Sequence, residues 1–174
     1  MPDAATLAQQ LRVEIAPRGR LAADAFVFPC GRAGLAVAFV SPFVDFAATV
    51  AAVAEAAGPT PLLAVPGAGC IARIADGPLY RPCDPDRAGA AVAIFPPDLI
   101  AAAHLLDLDL GDPAEPRAAR VARVAAALEA APPPFALDVR DTLALTFCDG
   151  STGGAEILAD AVFASGRLPL VVVG

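Results

Sequence analysis

Two short apolar runs on either side of one helical pattern constrain the fold of this chain most. Residues 35–41, Leu-Ala-Val-Ala-Phe-Val-Ser, form a continuous run of strand length, and residues 61–66 form another. Between them apolar residues recur at spacings of three and four, and Gly58 follows as a stop signal; the recurring residues are Phe46, Val50, Val53 and Ala57. This order of strand, helix and strand within about thirty residues predicts a parallel crossover unit.

A second unit of the same kind is predicted near the end of the chain. Residues 142–148 are strand-like, residues 155–165 follow a helical pattern, and residues 168–174 are again apolar. A strand at 88–96 and a helix from Pro116 to the prolines at 132–134 complete the main elements. The fold class predicted is α/β, a mixed β-sheet with flanking helices built from β-α-β units.

The chain is expected to divide into an N-terminal segment of uncertain role, residues 1–34, and an α/β domain over residues 35–174. A domain rarely stops on its own buried strand, so the final run up to Gly174 predicts an incomplete domain, truncated at its C-terminal end. A short helix is expected over residues 4–11, with Asp3 as its N-cap, and a short strand over residues 70–75.

Three local patterns carry further expectations. Leucines 106, 108 and 110 alternate with Asp107 and Asp109, which predicts an antiparallel pair with one wet face. His104, the one histidine, shares the parity of the leucines and should point inward. Arginines 117, 120 and 123 are spaced by three, which favours a solvated basic helix face over an anion site. The four cysteines are spaced too widely for a zinc or redox pair and are expected to be reduced, mostly buried thiols.

Composition excludes several function classes. The net charge is -7, which argues against a nucleic-acid partner, since phosphates need a basic surface. All 12 basic residues are arginine, so Schiff-base chemistry and the lysine of a phosphate-binding P-loop are absent. No apolar run free of proline and charge reaches the length of a membrane span, and Met1-Pro2-Asp3-Ala4 begins no secretory signal, so a cytoplasmic protein without membrane insertion is predicted.

The loop between the last predicted strand and helix is the main candidate site. It reads Asp149-Gly150-Ser151-Thr152-Gly153-Gly154. A glycine-rich turn at a helix start exposes backbone amides at the positive helix end, which suits a carboxylate or phosphate. The alternative is a plain turn in which Ser151 or Thr152 caps the helix. A similar loop, Gly67-Ala68-Gly69, follows the strand at residues 61–66 and is a second candidate.

Two sharper alternatives remain open. Ser151 could be a hydrolase nucleophile with His104 as its base, although the glycine two positions before the serine of an α/β-hydrolase elbow is missing here. His104 could instead bind haem iron in a nitric oxide sensor. We expect neither: no catalytic residue, metal ligand or cofactor is assigned, with haem kept as a minor alternative.

The longer motifs resemble the N-terminal half of the FIST sensory domain. The most specific matches are Phe39-Val40-Ser41-Pro42 at a strand end, and Phe147 to Gly150 followed by Glu156 at a helix start. In the turn after the second strand, Ala68, Gly69 and Ile71 fit the family pattern, whereas Cys70 stands where relatives have glutamate. The resemblance covers most of the chain after about Leu35.

The resemblance implies a cytoplasmic sensory module of a signal transduction protein that binds an amino acid or a similar small metabolite. It also implies a C-terminal FIST half, missing from this chain, and output modules such as a histidine kinase as partners. Some relatives bind haem through a histidine. The ligand contacts expected here are Gly150, Ser151, Thr152, Gly153 and Gly154, together with Gly67, Ala68 and Gly69.

Overall fold

The contacts of the chain divide it into two units, residues 1–105 and residues 106–174. The computed structural model describes residues 11–17, 20–67, 69–71, 80–82, 89–148, 153–166, 168 and 171–173. The predicted helix over residues 4–11 and most of the strand predicted over residues 70–75 lie outside these ranges. No helix within them is long and apolar enough to cross a membrane.

The first unit is built on a four-stranded mixed sheet. Its strands are β1 (Arg12–Pro17), β4 (Leu35–Val40), β5 (Leu62–Pro66) and β8 (Gly89–Phe95), in the order β1-β8-β4-β5. Strands β4 and β5 are parallel, whereas β8 runs antiparallel to both of its neighbours. Helix α1 (Phe46–Ala57) connects β4 to β5. The α/β class and the first crossover unit are therefore confirmed.

Short elements complete this unit. A 3-10 helix spans Ala23–Phe26, and two antiparallel pairs join β2 (Val27–Phe28) to β3 (Gly31–Arg32) and β6 (Gly69–Ile71) to β7 (Tyr80–Pro82). Residues 12–17 are thus an edge strand of the main sheet, with Arg12 opposite Ile94 and Pro17 opposite Gly89. The proposed boundary between residues 34 and 35 stays a prediction.

Alternate residues of the two central strands form the core of the first unit. Those of β4 and β8 that face the core are fully or almost fully buried: Ala36, Ala38, Val40, Ala90, Val92 and Ile94. Phe26 from the 3-10 helix and Val53 and Ala57 from α1 join the same cluster. The helix face differs from the predicted one, because Thr49 is buried while Phe46 is 41% exposed.

Thr60, in the turn after α1, has a buried hydroxyl group without a hydrogen-bond partner among the described residues. The residue is 5% exposed, so water does not compensate the lost bond. We expect Thr60→Val to raise the free energy of unfolding by about 1 kcal/mol, because valine keeps the shape and removes the unsatisfied oxygen. Urea unfolding measures the change. Thr60→Ser, which keeps the hydroxyl and loses the methyl group, should be destabilising, and a stabilising serine would contradict this explanation.

The second unit contains the second crossover. Its elements are helix α2 (Arg117–Ala130), strand β9 (Ala144–Thr146), helix α3 (Gly154–Ser165) and strand β10 (Val171–Val173). Strands β9 and β10 are parallel, with Val171 opposite Ala144. The two helices pack through one apolar cluster, formed by Val124, Leu128, Ile157, Leu158, Ala161 and Val162. The predicted second β-α-β unit is therefore confirmed.

The alternating leucines do not form a strand. Residues 102–110 have no regular secondary structure, and the antiparallel pair predicted there is wrong. Leu108 and Leu110 pack against the cluster of the two helices, whereas Leu106 is 40% exposed. The carbonyl oxygen of Leu110 accepts a hydrogen bond from the Arg120 side chain instead of a strand neighbour. This segment is therefore held by packing against the two helices and by the bond from Arg120, and not by hydrogen bonds to a neighbouring strand.

Two predictions about single side chains also fail. His104 is exposed rather than inward-facing. Its segment is not a strand, so residues two positions apart, such as His104 and Leu106, need not face the same side. Arg120 is 6% exposed and does not belong to a solvated basic face. Among the cysteines whose side chains the structure describes, Cys30 is exposed and Cys148 is partly exposed, so the expected burial of the thiols is not observed there.

Candidate functional site

The loop that enters α3 is described from Gly153 onward. Gly153 is the N-cap of the helix, with φ +66° and ψ 15°, in the left-handed region that favours glycine. A Cβ atom built there would meet no atom of the described residues within 4 Å. Gly154, the first residue of the helix, is buried. The turn therefore requires glycine for its backbone conformation and leaves room beside it.

No described side chain caps the first turn of α3. Helix α1 provides the contrast, because Asp45 caps it by accepting a hydrogen bond from the Ala48 amide at 2.9 Å. The cap by Ser151 or Thr152 that the sequence suggested concerns residues outside the described ranges. The described cap residue is a glycine, which has no side chain to offer.

The amino ends of α2 and α3 lie on the same side of the second unit. Arg117, the first residue of α2, donates to Glu156 at 2.9 Å and to Asp160 at 2.6 Å, both in the first two turns of α3. Near the other end of α2, Leu128 shares an apolar groove with Leu168, which follows α3. The two helices are therefore parallel, and the positive ends of their dipoles point the same way.

The charged side chains beside these helix ends are exposed, and the positive charge of Arg117 is paired with the negative charges of Glu156 and Asp160. The hydrogen bond to Asp160, and next that to Glu156, raises the pKa of Arg117. In the turn before β9, the hydrogen bonds from Arg140 hold the pKa of Asp138 below its usual value. Asp138 stays ionised down to a lower pH than an ordinary aspartate, so it keeps its hydrogen bonds to Arg140 as the solution becomes acidic. Exposure makes the contribution of such pairs to stability small.

The second candidate loop belongs to the first unit. Gly67 follows β5, and its amide donates to the carbonyl oxygen of Val40 at 2.8 Å. Ser41 directly follows β4, is 6% exposed and accepts a hydrogen bond on Oγ from the Phe43 amide. The carboxyl ends of the parallel strands β4 and β5 thus meet at one edge, where open α/β sheets bind ligands.

The predicted site residues therefore fall into two separate sets. Gly153 and Gly154 lie at the start of α3 in the second unit, and Gly67 and Gly69 lie after β5 in the first. The other predicted contacts, Gly150, Ser151, Thr152 and Ala68, lie outside the described residues. The site assignment as a whole stays a prediction.

Sequence reasoning missed Arg120. Its Nε donates to the carbonyl oxygen of Leu110 at 2.8 Å, and its side chain packs beside Gly111, where a built Cβ would lie 3.3 Å from Arg120 Cγ. Gly111 has φ +74°, so this tight approach depends on glycine. The spacing of three along the helix placed Arg120 with its exposed neighbours, and no local signal separates a buried arginine from a solvated one.

No candidate metal centre emerges from the described ranges. They hold no group of three or more His, Cys, Asp or Glu side chains that could bind a metal ion. An apolar groove of about 230 Å³ lies at the carboxyl end of α2, lined by leucines, prolines and Phe135. It has no charged group to orient a ligand.

No protein-family model, curated protein or solved structure matches this chain.

Proposed function

We propose that this chain is a cytoplasmic small-molecule sensory domain of a signal transduction protein, of the FIST type, without catalysis of its own. Its ligand is an amino acid or a similar small anionic or zwitterionic metabolite. The partners are a C-terminal FIST half and an output module such as a histidine kinase. The motifs Phe39 to Pro42 and Phe147 to Gly150 support this proposal, as does the α/β fold, in which the first motif begins within the end of β4 and Phe147 directly follows β9.

The start of α3 carries the proposal. Gly153 holds a left-handed turn with open space beside it, and no described side chain caps the helix that follows. Backbone amides at a helix end that no described side chain caps can donate hydrogen bonds to a carboxylate or phosphate of a ligand. The loop after β5 is the second candidate within its own unit, because Gly67 lies where the carboxyl ends of β4 and β5 meet.

A thermal-shift screen against amino acids, nucleotides and haem tests this function. A ligand at about 100 times its dissociation constant adds roughly 2.7 kcal/mol, which raises Tm by several degrees. A saturable shift without turnover is the expected result. Labelling by a fluorophosphonate that Ser151→Ala abolishes would favour a hydrolase, and a Soret band that His104→Ala removes would favour a haem sensor. No shift with any compound would contradict the sensory function.

Two glycines of the same helix allow a matched test of the binding loop. Gly153 and Gly166 stand at opposite ends of α3, both with left-handed φ, at +66° and +59°, and neither has an atom of the described residues within 4 Å of a built Cβ. Valine at either position should therefore cause comparable backbone strain and a comparable loss in Tm. We expect Gly153→Val to weaken binding of the ligand found in the screen at least about tenfold, since the added side chain blocks the approach to the amides. Isothermal titration of both variants checks this, and equal affinities would show that the loop is only a turn.

A further inference from the structure

Arg120 is a buried arginine that makes no ion pair with a described carboxylate. The residue is 6% exposed, and its one hydrogen bond in the described part of the chain joins Nε to the carbonyl oxygen of Leu110. The neighbouring arginines of the same helix differ, since Arg117 pairs with Glu156 and Asp160, and Arg123 pairs with Glu115. A buried charge is costly unless an opposite charge compensates it. The guanidinium group therefore has a carbonyl partner but no ionic partner among the described residues.

The terminal nitrogens of Arg120 are available to such a partner. A guanidinium group has five N–H donors in a fixed fork, and the bond to Leu110 uses the one on Nε. Thr60 Oγ1 is the one described side-chain atom that is both sealed from water and without a hydrogen bond. The Nη atoms of Arg120 are not among these sealed, unbonded atoms, so they keep some contact with solvent. Their geometry suits the paired oxygens of a carboxylate or phosphate.

The position of Arg120 favours an anion as well. It lies in the first turns of α2, and long side chains on a helix lean toward the amino end. Its bond to Leu110, a residue that precedes the helix, shows that the guanidinium group takes this direction. The amino end of α3 lies on the same side, so the positive ends of two helix dipoles add to the charge of Arg120.

We propose that Arg120 binds an oxyanion, a carboxylate or phosphate group of a small molecule, through its terminal nitrogens at the amino end of α2. The identification of this oxyanion as part of the sensed metabolite rests on the function proposed above. The anion site itself does not, because it follows from the burial and the missing partner of one arginine.

Titrations with simple anions test the site directly. Sodium phosphate and sodium acetate are titrated separately into the whole chain at constant ionic strength, and Tm together with the NMR signals of the Arg120 side chain is followed. We expect saturable binding of at least one of them, and the stronger of the two identifies the oxyanion. Arg120→Met should weaken it at least about tenfold. Arg123→Met is the matched control on the same helix, and its charge is already paired, so it should change the affinity less than about twofold.

The same variants separate this site from a purely structural role. Without added anion, Arg120→Met should leave Tm unchanged or raise it, because it removes an uncompensated buried charge. A lower Tm with no saturable binding of either anion would overturn the proposal and make Arg120 a clamp on the Leu110 carbonyl group. If the methionine variant does not fold, Arg120→Lys keeps the charge without the planar fork and should still weaken anion binding. Undiminished binding by the lysine variant would contradict the proposed geometry.

The outcomes also distinguish this inference from the sensory function. Anion binding that depends on Arg120 supports the inference even if no metabolite binds in the screen. A metabolite that binds wild type and Arg120→Met equally well would leave the sensory function standing and overturn the role of Arg120 in it.

Discussion

Replacing Gly34 with alanine should lower the free energy of unfolding by about 4 kcal/mol or more, among the largest effects of a single substitution. A Cβ atom on Gly34 would overlap the carbonyl oxygen of Ile100 and lie 2.9 Å from its carbonyl carbon. These are backbone atoms of a turn in which the Ile100 amide donates to Pro96, while Gly34 itself donates to Phe95. Neither side can move without breaking these bonds.

Urea unfolding followed by circular dichroism measures this loss. Gly58→Ala is the control within the same unit, because Gly58 has φ +58° and a built Cβ would lie 3.6 Å from Arg32 Nη1, an ordinary contact. Its cost should be limited to the strain of a positive φ in a sparsely populated backbone region, about 1–3 kcal/mol. If Gly34→Ala lowers the free energy of unfolding no more than Gly58→Ala does, Gly34 does not lie as close to the Ile100 carbonyl group as described here.

Phe26→Ala should cost about 3–5 kcal/mol, the usual range for a buried phenylalanine truncated to alanine. Phe26 is fully buried in the core of the first unit, beside the alternate residues of β4 and β8. Its removal leaves a cavity that a close-packed interior does not fill by relaxation alone.

Phe43 provides the matched control for this substitution. It lies in the same unit and is 55% exposed, so Phe43→Ala should change the free energy of unfolding by no more than about 1 kcal/mol. Both values come from the same urea titration. Similar losses for the two variants would contradict the placement of Phe26 in the core.

The crossover units could be predicted from the sequence because their signals are local. Continuous apolar runs at 35–41 and 61–66 and the helical spacing between them depend only on neighbouring residues, and the parallel pair β4 and β5 follows from the length of the connection. The pairing of β1 with β8 could not be predicted in this way. It joins residues 12–17 to residues 89–95, and no short-range pattern identifies such distant partners.

The alternating leucines show how a correct pattern can mislead. Leu108 and Leu110 do turn toward an apolar core, but that core is the pair of helices α2 and α3, and the backbone makes no ladder. Arg120 escaped prediction for a related reason. Its burial results from the segment around Leu110 and Gly111 folding back over the first turns of α2, which is a tertiary contact.

The candidate site could be predicted in part. The glycine-rich stretch before α3 identified Gly153 as a turn residue, and its left-handed φ agrees with that expectation. A ligand contact could not be predicted from the same glycines, since a turn and a ligand site both use glycine. Binding must therefore be measured at the residues themselves.

An amide-resolved NMR titration tests the central claim most directly. The isotopically labelled chain is titrated with the best ligand from the thermal-shift screen, and the backbone amide signals are followed to saturation. The sensory account predicts saturable shifts at the amides of residues 150–156, with loss of those shifts in Gly153→Val and their retention in Gly166→Val. Saturable shifts confined to other parts of the chain, or none at all, would contradict it.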